Sequence, residues 1–205
     1  MFKINLLKNL SKGNLGNFKW YNKPDRWNFL PEGGLEIFAS NKTDFFQDPT
    51  NNFGVVTAPL FYLDINGDFI AKAKLKPNFN CIYDGGGIMV YENEKSWIKL
   101  CYENTDLCCP AIVSVVTNEV SDDANGVEIN LEQLHLQIVR KGECFCLFYS
   151  KDGDNWRMVR YFKIKMPKTV RVGLEAQSPL GEGTTIIFNS FIIEEKTVNN
   201  LRKGK

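Results

Sequence analysis

Trp97, Lys99 and Glu103 are the residues whose types and spacing most invite chemistry. They fall on the run 96–103, in which apolar and polar positions alternate. In an extended strand successive side chains point to opposite faces. Ile98, Leu100 and Tyr102 therefore share one face, and Trp97, Lys99, Cys101 and Glu103 share the other. An aromatic ring, a cation and an anion in one row suit a sugar platform. The ring stacks on an apolar sugar face, and the charged groups bond its hydroxyls. The same row also suits a solvated outer face with a cross-strand ion pair, because a sandwich sheet needs only its inner face apolar.

Other segments offer groups to the same site. Tyr83-Asp84-Gly85-Gly86-Gly87 precedes that strand, and its glycines permit a β-bulge, a turn or close approach of a ligand. Asp84 is expected to partner Lys99 or to accept from a ligand, with Tyr83 beside it. Thr43-Asp44-Phe45-Phe46 reads as a loop after a strand, with Asp44 and Phe46 on the site's rim. Arg160 suits bidentate pairing with a carboxylate of the site. His135 is the sole histidine, and no G-x-S-x-G motif accompanies it, so a nucleophilic triad is not expected. Asp152, Asp154 and Asn155 offer oxygens, but their spacing departs from a calcium-binding EF-hand and reads as a hairpin turn before a packing Trp156. The six cysteines lack zinc-motif spacing and are expected to be free and to pack as small hydrophobes. Neither a metal nor a cofactor is expected.

The elements that must position these groups are strands. Alternating runs recur at 35–39, 69–75, 86–91, 96–103, 111–117, 134–141, 143–150, 157–162, 169–176 and 185–193. Turn signals separate them, with Lys141-Gly142 marking a tight hairpin. The pattern predicts an all-β, two-sheet antiparallel sandwich forming one domain over 1–205, with a polar, frayed tail at 194–205. Basic and acidic residues number 25 and 24, so nothing points to a nucleic acid or a membrane surface as partner. Lys3, Asn5, Lys8 and Asn9 interrupt the N-terminal apolar run, which is too short for a secretory leader. A cytoplasmic location is the expectation.

In order and spacing, a set of motifs is similar to a family of uncharacterised proteins known for regulation of enolase. They are Trp20-Tyr21-Asn22-Lys23-Pro24, Thr43-Asp44-Phe45-Phe46, Tyr83-Asp84-Gly85-Gly86-Gly87, Trp97-Ile98-Lys99 with Glu103, Ser114-Val115-Val116-Thr117, Ser121-Asp122, and Ser150-Lys151-Asp152-Gly153-Asp154-Asn155-Trp156 followed by Arg160. The resemblance implies a concanavalin A-like lectin/glucanase jelly roll. The chain departs from the family pattern at three points. Gly85 and Gly86 stand where Gln-Ala is usual, Phe46 where Trp is usual, and Asp123 where Trp is usual.

Three functions follow as expectations. The first is a module that binds a carbohydrate or another polyhydroxylated small molecule through Asp44, Tyr83, Asp84, Trp97, Lys99, Glu103 and Arg160. The second is a glycan hydrolase using Glu103 with Asp84 or Asp44, since such chemistry needs two carboxyl groups about 5–9.5 Å apart. No strand here carries the paired acids of the laminarinase pattern, which counts against it. The third, implied by the family's name, is a protein-interaction partner of a metabolic enzyme, or a homodimer.

Overall fold

A computed structural model describes residues 4–204. In chain order the strands are β1 (Lys19–Tyr21), β2 (Trp27–Leu30), β3 (Gly34–Ser40), β4 (Phe45–Gln47), β5 (Gly54–Val56), β6 (Leu60–Asn66), β7 (Phe69–Pro77) and β8 (Gly85–Asn93). They continue as β9 (Ser96–Asn104), β10 (Pro110–Asn118), β11 (Val120–Glu128), β12 (Leu134–Lys141), β13 (Cys144–Ser150), β14 (Arg157–Lys163), β15 (Thr169–Gln177) and β16 (Gly183–Glu194). One sheet has the order β1-β6-β15-β8-β9-β10-β11, and the other β14-β13-β12-β7-β16-β3-β2. Neighbours in both pair antiparallel. The short hairpin β4-β5 stands apart from both sheets.

Every strand expected from alternation is present, because each has one face against the shared core. Ile98, Leu100 and Tyr102 of β9 face Leu134, Leu136 and Ile138 of β12 within that core. Two strands of the first sheet carry weaker signals. β6 begins Leu-Phe-Tyr-Leu, with its first three residues buried, so alternation is hidden. β11 is an edge strand, exposed along nearly all its length, and has no apolar period to show. The segment 43–46 is not a loop throughout, since Phe45 and Phe46 open β4.

The glycine run is likewise part of a strand and not a turn. A Cβ on Gly87 would lie 1.9 Å from the Leu100 carbonyl oxygen, and one on Gly85 would lie 2.9 Å from that of Tyr102. The glycines let the backbones of β8 and β9 approach each other, and no ligand is needed to explain them.

The tail is not frayed. Val198 is buried beside Ile70, Val139, Cys146 and Phe148 on the outer face of the second sheet. Lys141 Nζ donates to the Val198 carbonyl at 3.0 Å, and a 3₁₀ turn at Leu201–Lys203 follows. Lys205 lies outside the described residues, as do the first three residues of the N-terminal run. Within that run Leu7 is buried in the main core. No helix among the described residues is long and apolar enough to cross a membrane.

Candidate functional site

The site lies on the outer face of the first sheet, where cross-strand register builds it row by row. Arg171, Tyr91, Trp97 and Thr117 align in one row. Gly173, Met89, Lys99, Val115 and Asp123 form the next. Glu175, Gly87, Cys101 and Val113 follow, then Gln177, Gly85, Glu103 and Ala111. The predicted sharing of one face by Trp97, Lys99, Cys101 and Glu103 is therefore present. The face is not solvated, however: Trp97 and Cys101 are wholly buried, Lys99 is 2% exposed and Glu103 is 6% exposed.

The hairpin β4-β5 folds over the Trp97 end of this face. Gln47 N donates to Ser121 Oγ at 2.9 Å and docks the hairpin on β11. Phe45 meets Trp97 edge-on, with ring centroids 5.8 Å apart, and Tyr91 stacks 6.4 Å from Trp97 on the same end. This corrects the reading of Trp97 as a platform. With its ring packed among Phe45, Met89 and Tyr91, it has no free face for a ligand.

Beyond the hairpin the face opens as a cleft of 210 Å³. Its polar lining is Asp44, Tyr83, Lys99, Glu103, Asp123 and Gln177, and Phe46 and Val115 supply apolar surface. Lys99 organises the floor. Its Nζ donates to Asp44 Oδ1 at 2.9 Å, to the Phe45 carbonyl at 3.1 Å and to Gln177 Oε1 at 2.6 Å. An ammonium has three hydrogens, so all are used. Gln177 then passes both of its own, to the Tyr83 carbonyl at 3.0 Å and to Glu103 Oε2 at 3.1 Å. Sequence reasoning missed Gln177 and Glu175. The signal was the alternation Arg171, Gly173, Glu175, Gln177 against Val172, Leu174, Ala176 on β15.

Burial dominates the titration of these groups. Desolvation pushes the Glu103 and Glu175 carboxyls up to about 8, against the pull of Lys99. Desolvation is also the main cause that raises Asp123, which sits on the exposed edge strand at the cleft mouth. Lys99 moves the other way from a buried amine on its own. Desolvation works to lower it, but Asp44, Cys101, Glu175 and Glu103 together hold it above its usual value. It is a firmly charged ammonium. Glu175 is fully buried, and its Oε1 has no hydrogen-bond partner.

Tyr83 enters the cleft from a left-handed backbone position, φ +67°, which is unfavourable for a bulky side chain. Two bonds hold it there: its N–H donates to the Asn104 carbonyl at 2.6 Å, and its carbonyl accepts from Gln177. Strain of this kind is of order 1–3 kcal/mol and clusters at functional sites.

Asp84 and Arg160 are not brought into the cleft. Asp84 is wholly buried; its Oδ2 accepts from Asn80 N and Cys81 N, and its Oδ1 accepts from Ser178 Oγ at 2.6 Å. It ties the 80–84 turn to Ser178, which bonds Thr43 and so sets the place of Asp44. The expected pairing of Asp84 with Lys99 or with Glu103 gives way to this turn. Arg160 projects from β14 and pairs with Asp122 at 2.7 Å, clear of the cleft-lining residues. The oxygens of Asp152 close the 150–155 turn, accepting from Ser150, Asp154 and Asn155. Cys101 and Cys146 are buried, Cys81, Cys109 and Cys144 partly so, and Cys108 is exposed; all six are free.

Comparison with known proteins agrees with this architecture. A curated relative from Saccharomyces cerevisiae, Regulation of enolase protein 1, is 25% identical over 173 residues, covering 84% of this chain and 86% of the relative. A solved structure of a functionally unknown protein from Saccharomyces cerevisiae superposes with TM-score 0.83 at 24% identity, over 90% of this chain and 99% of that one. The Lotus tetragonolobus seed lectin aligns with TM-score 0.62 at 12% identity, over 94% of this chain and 97% of the lectin. A GH43 protein from Bacillus licheniformis aligns with TM-score 0.72 at 16% identity, over 94% of this chain but only 39% of that one. These likenesses establish the concanavalin A-like sandwich. A family model described as "Protein of unknown function (DUF1349)" matches residues 20–196, so the chain belongs to that family.

Proposed function

We propose that the chain binds one small polyhydroxylated molecule, of the carbohydrate class, in the cleft above Lys99. The observation that carries this reading is the convergence of six polar side chains on a cleft that also has an aromatic and an aliphatic wall. Small-ligand sites combine apolar walls with a few placed polar groups. Phe46 offers the apolar contact first assigned to Trp97, and Glu103, Asp123 and the Tyr83 hydroxyl face the hydroxyls of the ligand. At 210 Å³ the cleft lies below the roughly 300–1,000 Å³ of drug-sized pockets. A single sugar ring or short polyol suits it, and an oligosaccharide does not.

The departures from the family pattern support the same place. Phe46 and Asp123 line the cleft, and Gly85 pairs directly with both Glu103 and Gln177. A ligand of this family site would meet altered groups here. The sandwich is also the fold of a seed lectin and of part of a GH43 protein, which favours carbohydrate over other polyols.

The test is ligand-observed NMR with a panel of monosaccharides, disaccharides and small polyols, run on the native chain and on Phe46→Ala and Tyr83→Phe variants. The expected result is binding of at least one monosaccharide or small polyol, weakened by both substitutions. Absence of binding across the panel, or binding that ignores both changes, overturns the reading.

A further inference from the structure

The hydrogen-bonding capacity left over in the cleft is one-sided. Lys99 has no hydrogen to spare, since Asp44, Phe45 and Gln177 take all three. Gln177 has neither of its amide hydrogens free. On the acceptor side, Glu103 uses only Oε2, and Asp44 uses only Oδ1, for Lys99 and the Phe45 N–H. Asp123 has no side-chain partner and only the Ala124 backbone beside it. Among the side chains lining the cleft, the Tyr83 hydroxyl is the one uncommitted donor apart from the proton carried by Glu103 itself.

The charges lean the same way. Lys99 is neutralised by Asp44, with Lys99 almost fully buried. Glu103 and Asp123 remain on the wall with no cationic side chain in contact, and fully buried Glu175 lies on the row between those of Lys99 and Glu103 with an unpartnered oxygen. The charges acting most on Glu103 are Lys99 from β9, Asp44 ahead of β4, Asp123 from β11 and Glu175 from β15, with the neutral Tyr83 and Cys101 also near and Gln177 donating to it. Three of those four charges are acids. Desolvation, with these acids adding to it, favours the protonated forms of Glu103 and Glu175.

We infer that the natural ligand is an amine-bearing polyol, such as an amino sugar, whose ammonium lodges between the Glu103 and Asp123 carboxyls. A ligand ammonium brings both the donors and the positive charge that the lining lacks, and charge-assisted bonds of this kind are the strong ones. On binding, the proton held by Glu103 passes to solvent and the ligand cation takes its place; no covalent bond changes. The inference rests on the polyol reading above and narrows it to one class.

The experiment compares glucosamine, glucose, N-acetylglucosamine and ethylamine by ligand-observed NMR titration in phosphate buffer near neutral pH. The expected result is that glucosamine binds at least about tenfold more tightly than glucose, N-acetylglucosamine or ethylamine. Glu103→Gln and Asp123→Asn should each weaken glucosamine binding more than glucose binding and so shrink that preference. Should Glu103→Gln not fold, Asp123→Asn, on the exposed edge strand, carries the comparison. Equal binding of glucose and glucosamine overturns the ammonium and leaves the polyol reading standing. Ethylamine binding as tightly as glucosamine keeps the ammonium and removes the polyol. Binding of none of the four overturns both.

Discussion

The outer face of the first sheet has two unlike ends, although the same strands build both. At one end Phe45, Met89, Tyr91 and Trp97 pack under the β4-β5 hairpin and leave no space. At the other, two to six residues along β9 from Trp97, Lys99 and Glu103 are nearly as buried but, with Gln177, line a cleft, and Glu175 is buried beside them. The first end is held by apolar burial and ring contacts, strong enough to keep the Trp97 Nε1 buried without a hydrogen-bond partner. The second is held by one ammonium that satisfies three acceptors at once. Burial alone therefore does not mark a residue as structural. What separates the two ends is what is buried: close-packed rings at one, and charged and amide groups that still border open space at the other.

Removing the keystone of each end should expose that difference. Lys99→Met leaves Asp44, Gln177 and two buried carboxyls without their cation, a change that costs about 3–5 kcal/mol for a buried pair broken on one side. Urea unfolding should show this loss, and it should be larger at pH 8 than at pH 5.5, where Glu103 and Glu175 are protonated. Phe45→Ala should cost about 3 kcal/mol, toward the lower end for a buried aromatic. It should also red-shift the Trp97 fluorescence and show no such pH sensitivity. If both variants respond alike to pH, the two ends are not distinct.

The pH dependence of the native chain sharpens the same contrast. In the unfolded chain Glu103 and Glu175 ionise near 4.5, whereas burial in the fold holds both up to about 8. Between those values the folded state binds more protons, so the pair's contribution to stability is greatest below about 4.5 and declines as pH rises toward 8. The decline should be of several kcal/mol, with an upper bound of roughly 5 for each carboxyl taken alone, read from urea midpoints across that window. Glu175→Gln should flatten it; an unchanged slope would place the titration elsewhere.

The smallest effect is expected outside both ends. Arg160→Ala removes an ion pair whose Asp122 partner is largely exposed, which is worth about 0–1 kcal/mol. It should leave ligand binding as it was. A marked loss of binding would mean that Arg160 reaches the cleft after all.

Alternation was enough to recover ten strands and the division of β9 into a core face and a polar face, because period-two patterning is set wherever one side meets the core. The motifs, and the family resemblance they carry, suggested that Asp44 and Tyr83 belong to the same site as Lys99 and Glu103. Alternation could not say what covers the other face. Nothing local in Trp97 tells whether Phe45, far away in sequence, will fold over it, and so the ring expected to meet a ligand is instead sealed. Nor could it tell that Asp84 spends both oxygens on a turn and on Ser178, or that Gln177 completes the network around Lys99. Those outcomes depend on strand order and register between distant segments. The sequence by itself determined which residues share a face, since that follows from backbone geometry; only the tertiary structure decided which of them are sealed, which are satisfied and which still face an open cleft, because that depends on what packs above them.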